Sequence, residues 1–407
     1  MRISSPALLV SMIISFGCNS NSVTKKSVED VFPKGTYGYD ANFLRTHLNN
    51  VIELHNGDSR VLLSADDQGR VMTSSASGNN GLGYGWINYG LIESGKRKPQ
   101  FNPVGGEERL WLGPEGGQFS LYFKKADSFN IKNWLVPPVI DTEKFDVTQS
   151  DSLSVTFSKR SILTNYSGFV FQFQLIREVE LLNKSSAEEA LGIEIPAGIQ
   201  FVAYRSNNSL INAGDDVWRK ESGLLSIWLL SMMNPTEETK VIIPFYPKPN
   251  AKSFITSNYF GDIPPDRLLI KDSVLFFRCD GKSRGKLGIA PEIAKPVVGS
   301  FDFQNNVLTI LKPEVHPDQD YVNSKWELQK QPYKGDVINS YNDGPLADGS
   351  QLGPFYEIES SSPATELKPG DSQQYHQAVI HFTGNYPELK ELAKQLLQVD
   401  LDEVKNW

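Results

Sequence analysis

Short apolar runs bounded by turn-forming residues recur along this chain, and they limit its fold more than any other feature. The runs are rich in β-branched and aromatic residues and end at Gly, Pro, Asn, Asp or Ser, as β-strands typically do. In residues 169–175 the odd positions are apolar, as on a strand with one buried face. The sequence therefore predicts a mainly β protein, a large antiparallel β-sandwich. Its strands are expected at 51–54, 61–64, 110–112, 119–123, 153–157, 169–175, 193–195, 199–204, 224–230, 240–245, 273–278, 297–303, 307–311, 355–360 and 377–382.

Helical patterns are few, and the clearest one lies at the C-terminus. Asn385 is a suitable N-cap and Pro387 suits a first turn. The residues that follow place four leucines on one helical face: Leu389, Leu392, Leu396 and Leu397. We expect this short helix to pack on the sheet in preference to binding a partner. A second short helix is expected at 40–48, and the strands continue without a break that would divide residues 31–407 into two domains.

The N-terminus has the layout of an export signal. Arg2 precedes a short uncharged, largely apolar run, and the run ends at Ser15-Phe16-Gly17-Cys18. This sequence looks like a lipobox, although Phe16 departs from the usual residue type. We expect a signal peptide at 1–17, lipidation of Cys18, a flexible tether at 18–30 and a lipid-anchored protein in the bacterial cell envelope. The alternative is an ordinary cleaved signal with an incidental cysteine.

Charge and cysteine content exclude some functions. The formal net charge is −8 and the acidic residues are dispersed, whereas nucleic-acid binding needs clustered Lys and Arg. Besides Cys18, the chain has only Cys279, which follows a predicted strand and is expected to be a buried, unreactive thiol. His47 and His55 lack metal-binding spacing. Neither a metal nor a cofactor is predicted.

One C-terminal segment carries a family resemblance. A strand with Glu357 and Glu359 is followed by a polar loop, then by Leu-Lys-Pro-Gly-Asp at 367–371 and a last strand ending in His381-Phe382. This layout resembles the C-terminal part of the galactose mutarotase-like superfamily. The segments 106–117 and 339–345 look like those of an uncharacterised family of bacterial lipoproteins within it. The resemblance implies a twisted β-supersandwich whose concave face binds carbohydrate, with a strand glutamate as the catalytic base.

The two glutamates are the candidate catalytic residues. Glu357 and Glu359 are two positions apart on a predicted strand, so both side chains leave the same face. Neighbouring carboxylates repel, and one of them should hold its proton more tightly. By the resemblance Glu359 is slightly preferred as the base. The alternative is a strand whose outer face simply carries two solvated acids.

Candidate sugar-binding residues come from three regions. The glycine-rich segment 106–117 offers charged groups for hydroxyls and a ring for stacking, segment 83–90 offers Trp86, and the polar stretch 324–348 is expected to be a loop at the rim of the cleft. For each residue the alternative is a structural role in packing or turns, and for His376 a core position on the last strand. The candidates are Arg109, Trp111, Glu108, Glu115, Trp86, Trp326, Tyr341, Asn342 and His376.

Three functions remain open from the sequence. The first is an enzyme acting on carbohydrate, either as an epimerase or mutarotase or by cleavage of a glycosidic bond. The second is a carbohydrate-binding lipoprotein without catalysis, and the third is a lipoprotein that binds other proteins. Mutarotases use two histidines, but this chain has none between residues 56 and 315, where the relatives place theirs. The sequence therefore favours the second function over ordinary mutarotation.

Overall fold

The fold is that of a computed structural model, which describes residues 32–346 and 348–407. The predicted signal peptide, the tether and the lipidation site at Cys18 lie outside these residues, and they stay predictions. In the part of the chain that is described, no helix is both long and apolar enough to cross a bilayer.

Nineteen strands form in the described residues, and every pair of neighbours is antiparallel. They confirm the predicted mainly β, antiparallel fold. Their bounds, for β1 to β19 in order, are Val51–Asn56, Ser59–Ser64, Arg70–Ser75, Arg109–Gly113, Asp146–Ser150, Ser154–Thr164, Val170–Leu181, Gln200–Asn212, Ser226–Met233, Thr239–Pro244, Ile255–Thr256, Leu268–Ile270, Val274–Arg278, Gly285–Ile289, Val298–Asp302, Val307–Pro313, Ile338–Asn342, Tyr356–Ser361 and Ser372–Thr383.

The strands form three sheets. A three-stranded sheet has the order β1-β2-β3, and a ten-stranded sheet has the order β12-β13-β10-β15-β16-β19-β8-β7-β6-β5. A six-stranded sheet has the order β11-β14-β17-β18-β9-β4. Strands from both ends of the chain meet in this smaller sheet, because β4 and β18 flank β9.

The two larger sheets pack face to face around the main core. On β18, Ile358 belongs to the core, Tyr356 forms a 2.8 Å hydrogen bond with Ser300 of β15, and Ser360 donates to Gln377 of β19 at 2.7 Å. Side chains alternate along a strand, so Glu357 and Glu359 leave the opposite, outer face of the six-stranded sheet. The two candidate catalytic residues are therefore on that outer face.

The α-helices pack on two of the sheets, the first two on the three-stranded sheet and the last three on the other side of the ten-stranded sheet. Their bounds, for α1 to α5, are Tyr37–His47, Tyr89–Ser94, Lys184–Leu191, Tyr386–Leu397 and Leu401–Asn406. Helix α4 is the predicted C-terminal helix. The Asn385 side chain accepts the Glu388 N–H as its N-cap, and the predicted leucines are buried in a cluster with Phe301 and Ile310 of the sheet. Its packing on the sheet is therefore confirmed.

Some predicted elements were wrong at particular places. Residues 119–123 and 193–195 form no strand, although their apolar residues are largely buried. The stretch 324–348 is not one loop, because it contains β17 (Ile338–Asn342) in the six-stranded sheet. Helix α1 begins three residues before the predicted start, where Thr36 supplies the cap.

Candidate functional site

The outer face of the six-stranded sheet carries four buried charged side chains. The Arg109 guanidinium donates to Glu357 at 2.7 Å, and the Lys286 ammonium donates to Glu359 at 2.9 Å. Glu359 also accepts the indole N–H of Trp228 at 3.0 Å. We call Arg109, Lys286, Glu357 and Glu359 the charged floor. All four are buried, Glu359 completely.

Strand register explains how distant residues meet here. Glu359 on β18 lies opposite Leu230 of β9, and Leu230 in turn lies opposite Arg109 of β4. Two residues earlier on β18, Glu357 lies opposite Tyr341 of β17. Tyr341 in turn lies opposite Lys286 of β14. Residues in such cross-strand rows share one face of the sheet. Three strands, β4, β14 and β18, therefore bring two cations and two carboxylates together, with β9 and β17 between them.

Burial and charge act against each other on these groups. Burial raises the pKa of Glu357 to about 7, although the Arg109 charge lowers it. Burial acts to lower the pKa of Lys286, but the carboxylates of Glu359 and Glu115 outweigh it and the net shift is upward. Burial also raises the pKa of Glu115. The floor thus holds a firmly protonated lysine near a glutamate whose pKa is close to neutral pH.

A cavity of about 420 Å³ opens above the floor. Its volume lies within the range of small-molecule sites, roughly 300–1,000 Å³. Lys286 is the one member of the charged floor among its lining residues. The lining consists of Glu115, Ile131, Asn258, Tyr259, Phe260, Arg284, Lys286, Ser324, Lys325, Trp326, Glu327 and Leu346.

A small polar pocket continues the cavity inward. It has a volume of about 20 Å³ and shares Glu115, Tyr259, Lys286 and Ser324 with the cavity. Trp228, Asp336 and Asn339 are among its other walls. A volume of about 10–15 Å³ by this measure holds one water molecule, so the pocket has room for a water or for a hydroxyl group of a ligand. Burial raises the pKa of Asp336 to about 6.

Two loops, which contain residues 115–118 and 325–329, cover the charged floor and are hydrogen-bonded to each other. We call these two loops the cover. The Gln118 amide donates to the Gln329 carbonyl at 2.9 Å, and the Gln329 N–H donates to the Gln118 side chain at 3.0 Å. A Cβ on Gly116 would lie 2.2 Å from the carbonyl oxygen of Lys325, so only glycine allows this approach. The joined loops place Glu115 and Trp326 on one wall of the cavity, where the Trp326 ring stacks on that of Trp134 at 6.0 Å.

The structure brings several of the predicted site residues together. Glu357 and Glu359 share a face as expected, with Arg109 beside Glu357. Glu115 and Trp326 line the cavity. None of these contacts tests whether the residues bind or convert a ligand, and their roles stay predictions.

Arg109 and Trp111 differ from the expectation of direct sugar contact. The Arg109 guanidinium lies 4.2 Å from the centre of the Trp111 ring, and both side chains are buried. Neither residue lines the cavity. Their predicted roles in sugar binding stay predictions.

Other predicted residues lie away from the cavity. Glu108 points into the main core, where it pairs with Arg177 at 2.8 Å. The remaining four occupy structural positions: Trp86 packs on Phe355, Asn342 accepts the Gly281 N–H, Tyr341 donates to Asp343, and His376 is hydrogen-bonded to Asn207 on the ten-stranded sheet. Tyr341 and Asn342 belong to β17 instead of a loop.

Sequence reasoning missed Lys286, Trp228, Tyr259 and Arg284. Leu287 and Ile289 alternate with Lys286 and Gly288 as on a strand with one buried face, but two apolar residues are too few to mark the strand that carries Lys286. Trp228 lies in an entirely buried strand, where no alternation marks it. Within 32–346 and 348–407, no group of three His, Cys, Asp or Glu side chains is arranged to hold a metal.

These features define a mainly β, antiparallel sandwich with a charged, loop-covered face under a cavity. The chain belongs to a family of unknown function, DUF6786, whose model matches residues 35–407. No curated protein matches the sequence. The predicted membership in a family of lipoproteins stays a prediction.

Solved structures of similar fold do match. The Slr1438 protein from Synechocystis sp. PCC 6803 has a TM-score of 0.50 and 11% identity, over 82% of this chain and 96% of that one. A galactose mutarotase-like protein from Lactobacillus casei ATCC 334 has a TM-score of 0.48 and 12% identity, over 82% and 100%. A galactose mutarotase related enzyme from Lactobacillus acidophilus has a TM-score of 0.46 and 11% identity, over 83% and 98%. At these identities the similarity concerns the fold alone.

Proposed function

We propose that this protein binds a carbohydrate in the cavity above the charged floor. The observation that carries the proposal is the lining, which joins the rings of Trp326, Tyr259 and Phe260 to the polar groups of Lys286 and Glu115. A sugar ring has apolar faces and a hydroxylated edge, and it needs both kinds of contact. The C-terminal sequence resemblance supports the same ligand class. Anchoring in the bacterial cell envelope through Cys18 is part of this proposal.

The inner pocket suits one hydroxyl of the bound sugar. Lys286 and Glu115 both line it, and Asn339 and Asp336 add an amide and a carboxyl group. Glu359 lines neither space, and it holds Lys286 in place from below. A buried, oriented ammonium group loses little freedom when it donates to a ligand. We therefore expect Lys286 to be the central polar contact and Glu359 to be its positioning residue.

Binding is tested with a glycan array probed with the purified protein, its Trp326→Ala variant and its Leu328→Ala variant. Leu328 lies two residues away in the same loop, is 68% exposed and does not line the cavity. Binding that Trp326→Ala loses and Leu328→Ala keeps would support the proposal. Binding that survives both substitutions would place the sugar elsewhere, and no binding by correctly folded protein would contradict the function.

Proton transfer on the bound sugar, as in an epimerase or mutarotase, is a second candidate function. It is favoured by one observation, the carboxyl group of Glu115 facing Lys286 across the inner pocket with its pKa raised by burial. Polarimetry or NMR on a bound sugar would detect it. Loss of activity in Glu115→Gln would indicate that this group transfers the proton. Loss in Glu359→Gln alone would indicate that the strand glutamate is required, either as the base that the sequence predicts or as the residue that positions Lys286.

A further inference from the structure

The cavity lining includes two cations that form no ion pair within the described residues. Arg284, Lys286 and Lys325 line the cavity, against the acids Glu115 and Glu327. Lys286 is neutralised by Glu359. Arg284 and Lys325 form no ion pair with a carboxylate of the described part of the chain. This is unexpected in a protein with a net charge of −8.

Arg284 is held in a fixed position while its outer nitrogens stay available. Its guanidinium lies 4.1 Å from the centre of the Phe260 ring, and its Nε donates to the Tyr341 hydroxyl at 3.3 Å. Its two terminal nitrogens donate to no residue in 32–346 or 348–407. Ring stacking and one hydrogen bond leave a planar pair of donors, which matches two oxygens of an oxyanion.

The carboxylate of Asp343, which shares Tyr341 with Arg284, is already satisfied by other donors. Asp343 accepts the Tyr341 hydroxyl at 2.6 Å and the Gly353 N–H at 3.0 Å. Burial raises its pKa, which disfavours its charged form. Arg284 is therefore linked to this acid only through Tyr341, and its charge is not neutralised by a direct partner.

We propose that the ligand is an anionic sugar, whose carboxylate, sulfate or phosphate group binds Arg284 at the cavity mouth with Lys325 beside it. This inference rests on the proposed carbohydrate-binding function and names the ligand class. The sugar ring then lies towards Trp326, and one hydroxyl reaches Lys286. A neutral sugar would give no charged acceptor to the terminal nitrogens of Arg284, which donate to none of the described residues.

The test compares matched ligands by calorimetry on the purified protein. The pairs are galacturonic and galactose oligomers, glucuronic and glucose oligomers, and sulfated or phosphorylated sugars with their unmodified forms. Arg284→Gln and Lys325→Gln are the test variants. Arg160→Gln removes the same charge from an exposed site on β6 that does not line the cavity. Thermal melting verifies that each variant is folded.

We expect an anionic member to bind at least about 10-fold more tightly than its neutral partner, and Arg284→Gln to remove that difference. The affinity of the parent protein for the anionic ligand should also fall as NaCl is added. Arg160→Gln should leave the affinity for either ligand unchanged. The ligand pair with the largest difference in affinity identifies whether the site recognises a carboxylate, a sulfate or a phosphate. If Arg284→Gln does not fold, Lys325→Gln becomes the deciding variant. It must then reduce the affinity difference between the anionic and neutral ligands, although by less than is expected of Arg284→Gln.

Two results separate this inference from the function on which it rests. Neutral and anionic sugars that bind equally, with no effect of salt or of Arg284→Gln, would refute the anionic ligand and leave carbohydrate binding intact. Failure of every sugar of either charge to bind would refute carbohydrate binding itself.

Discussion

Removing Lys286 should destabilise the protein strongly, because it leaves Glu359 buried without a counter-charge. Glu359 has no exposed surface, and one of its two carboxylate oxygens has no hydrogen-bond partner in the described residues. Without the lysine only the Trp228 N–H, at 3.0 Å, would remain. Breaking a buried ion pair on one side costs about 3–5 kcal/mol. We expect a loss of this size in the free energy of unfolding of Lys286→Met at pH 7.

A second substitution distinguishes the charge effect from lost packing. Lys286→Met/Glu359→Gln removes the orphaned charge and keeps an acceptor for Trp228, so it should recover most of the lost stability. Urea denaturation of the parent, both single variants and the double variant completes a mutant cycle. Lys282→Met is the control, because Lys282 pairs with Glu237 in solvent and its removal should change nothing measurable.

The reasoning fails if the two substitutions are additive. In that case the stability lost by Lys286→Met would come from its methylene chain and not from the charge of Glu359. A loss below about 1 kcal/mol would also contradict it, since that is the range of exposed ion pairs.

Three further predictions concern pH, the cover and the anchor. Burial raises the pKa of Glu357 to about 7, above its unfolded value of about 4.3. Between these two pKa values the folded state therefore binds more protons than the unfolded state. The free energy of unfolding should fall as pH rises from about 4.5 to about 7. Glu357→Gln should lack this component in urea titrations, and an unchanged pH dependence would contradict the assignment. Gly116→Ala should cost about 1–3 kcal/mol by thermal melting, because its Cβ would meet the carbonyl of Lys325. Gly90→Ala, with no atom within 4 Å of the new Cβ, should be neutral or stabilising, and equal effects would refute the close approach. Cys18→Ser should move the protein from the membrane to the soluble fraction, and continued membrane association would rule out the lipid anchor.

The fold could be predicted from local patterns where each pattern is strong. Alternation in 169–175 corresponds to β7, whose Phe171 and Phe173 are buried, and the leucine spacing of α4 marked its buried face. Short strands with glycine, such as β14, carry too few apolar residues to be recognised alone. The buried apolar residues of 119–123 resemble a strand in sequence, but they pack into the main core from an irregular segment.

The site was less accessible to sequence reasoning than the fold. Spacing alone placed Glu357 and Glu359 on one face. Their partners depend on strand register, since Lys286 reaches Glu359 only because β14 and β18 both pair with β17. No local signal records a pairing across so many positions. For the same reason Glu108 and Arg109, adjacent in the chain, enter different clusters on opposite sides of the backbone.

The pairing of Arg109 with Glu357 spans 248 positions. During synthesis the ribosome must therefore add nearly 250 more residues after the arginine before its partner exists. Until then, the face that later carries the cavity is an incomplete sheet with unpaired strand edges, the kind of surface that chaperones protect. The cavity lining ends at Leu346, but Lys286 in that lining is held by Glu359 on β18. Ligand binding would consequently report on a chain synthesised at least as far as β18.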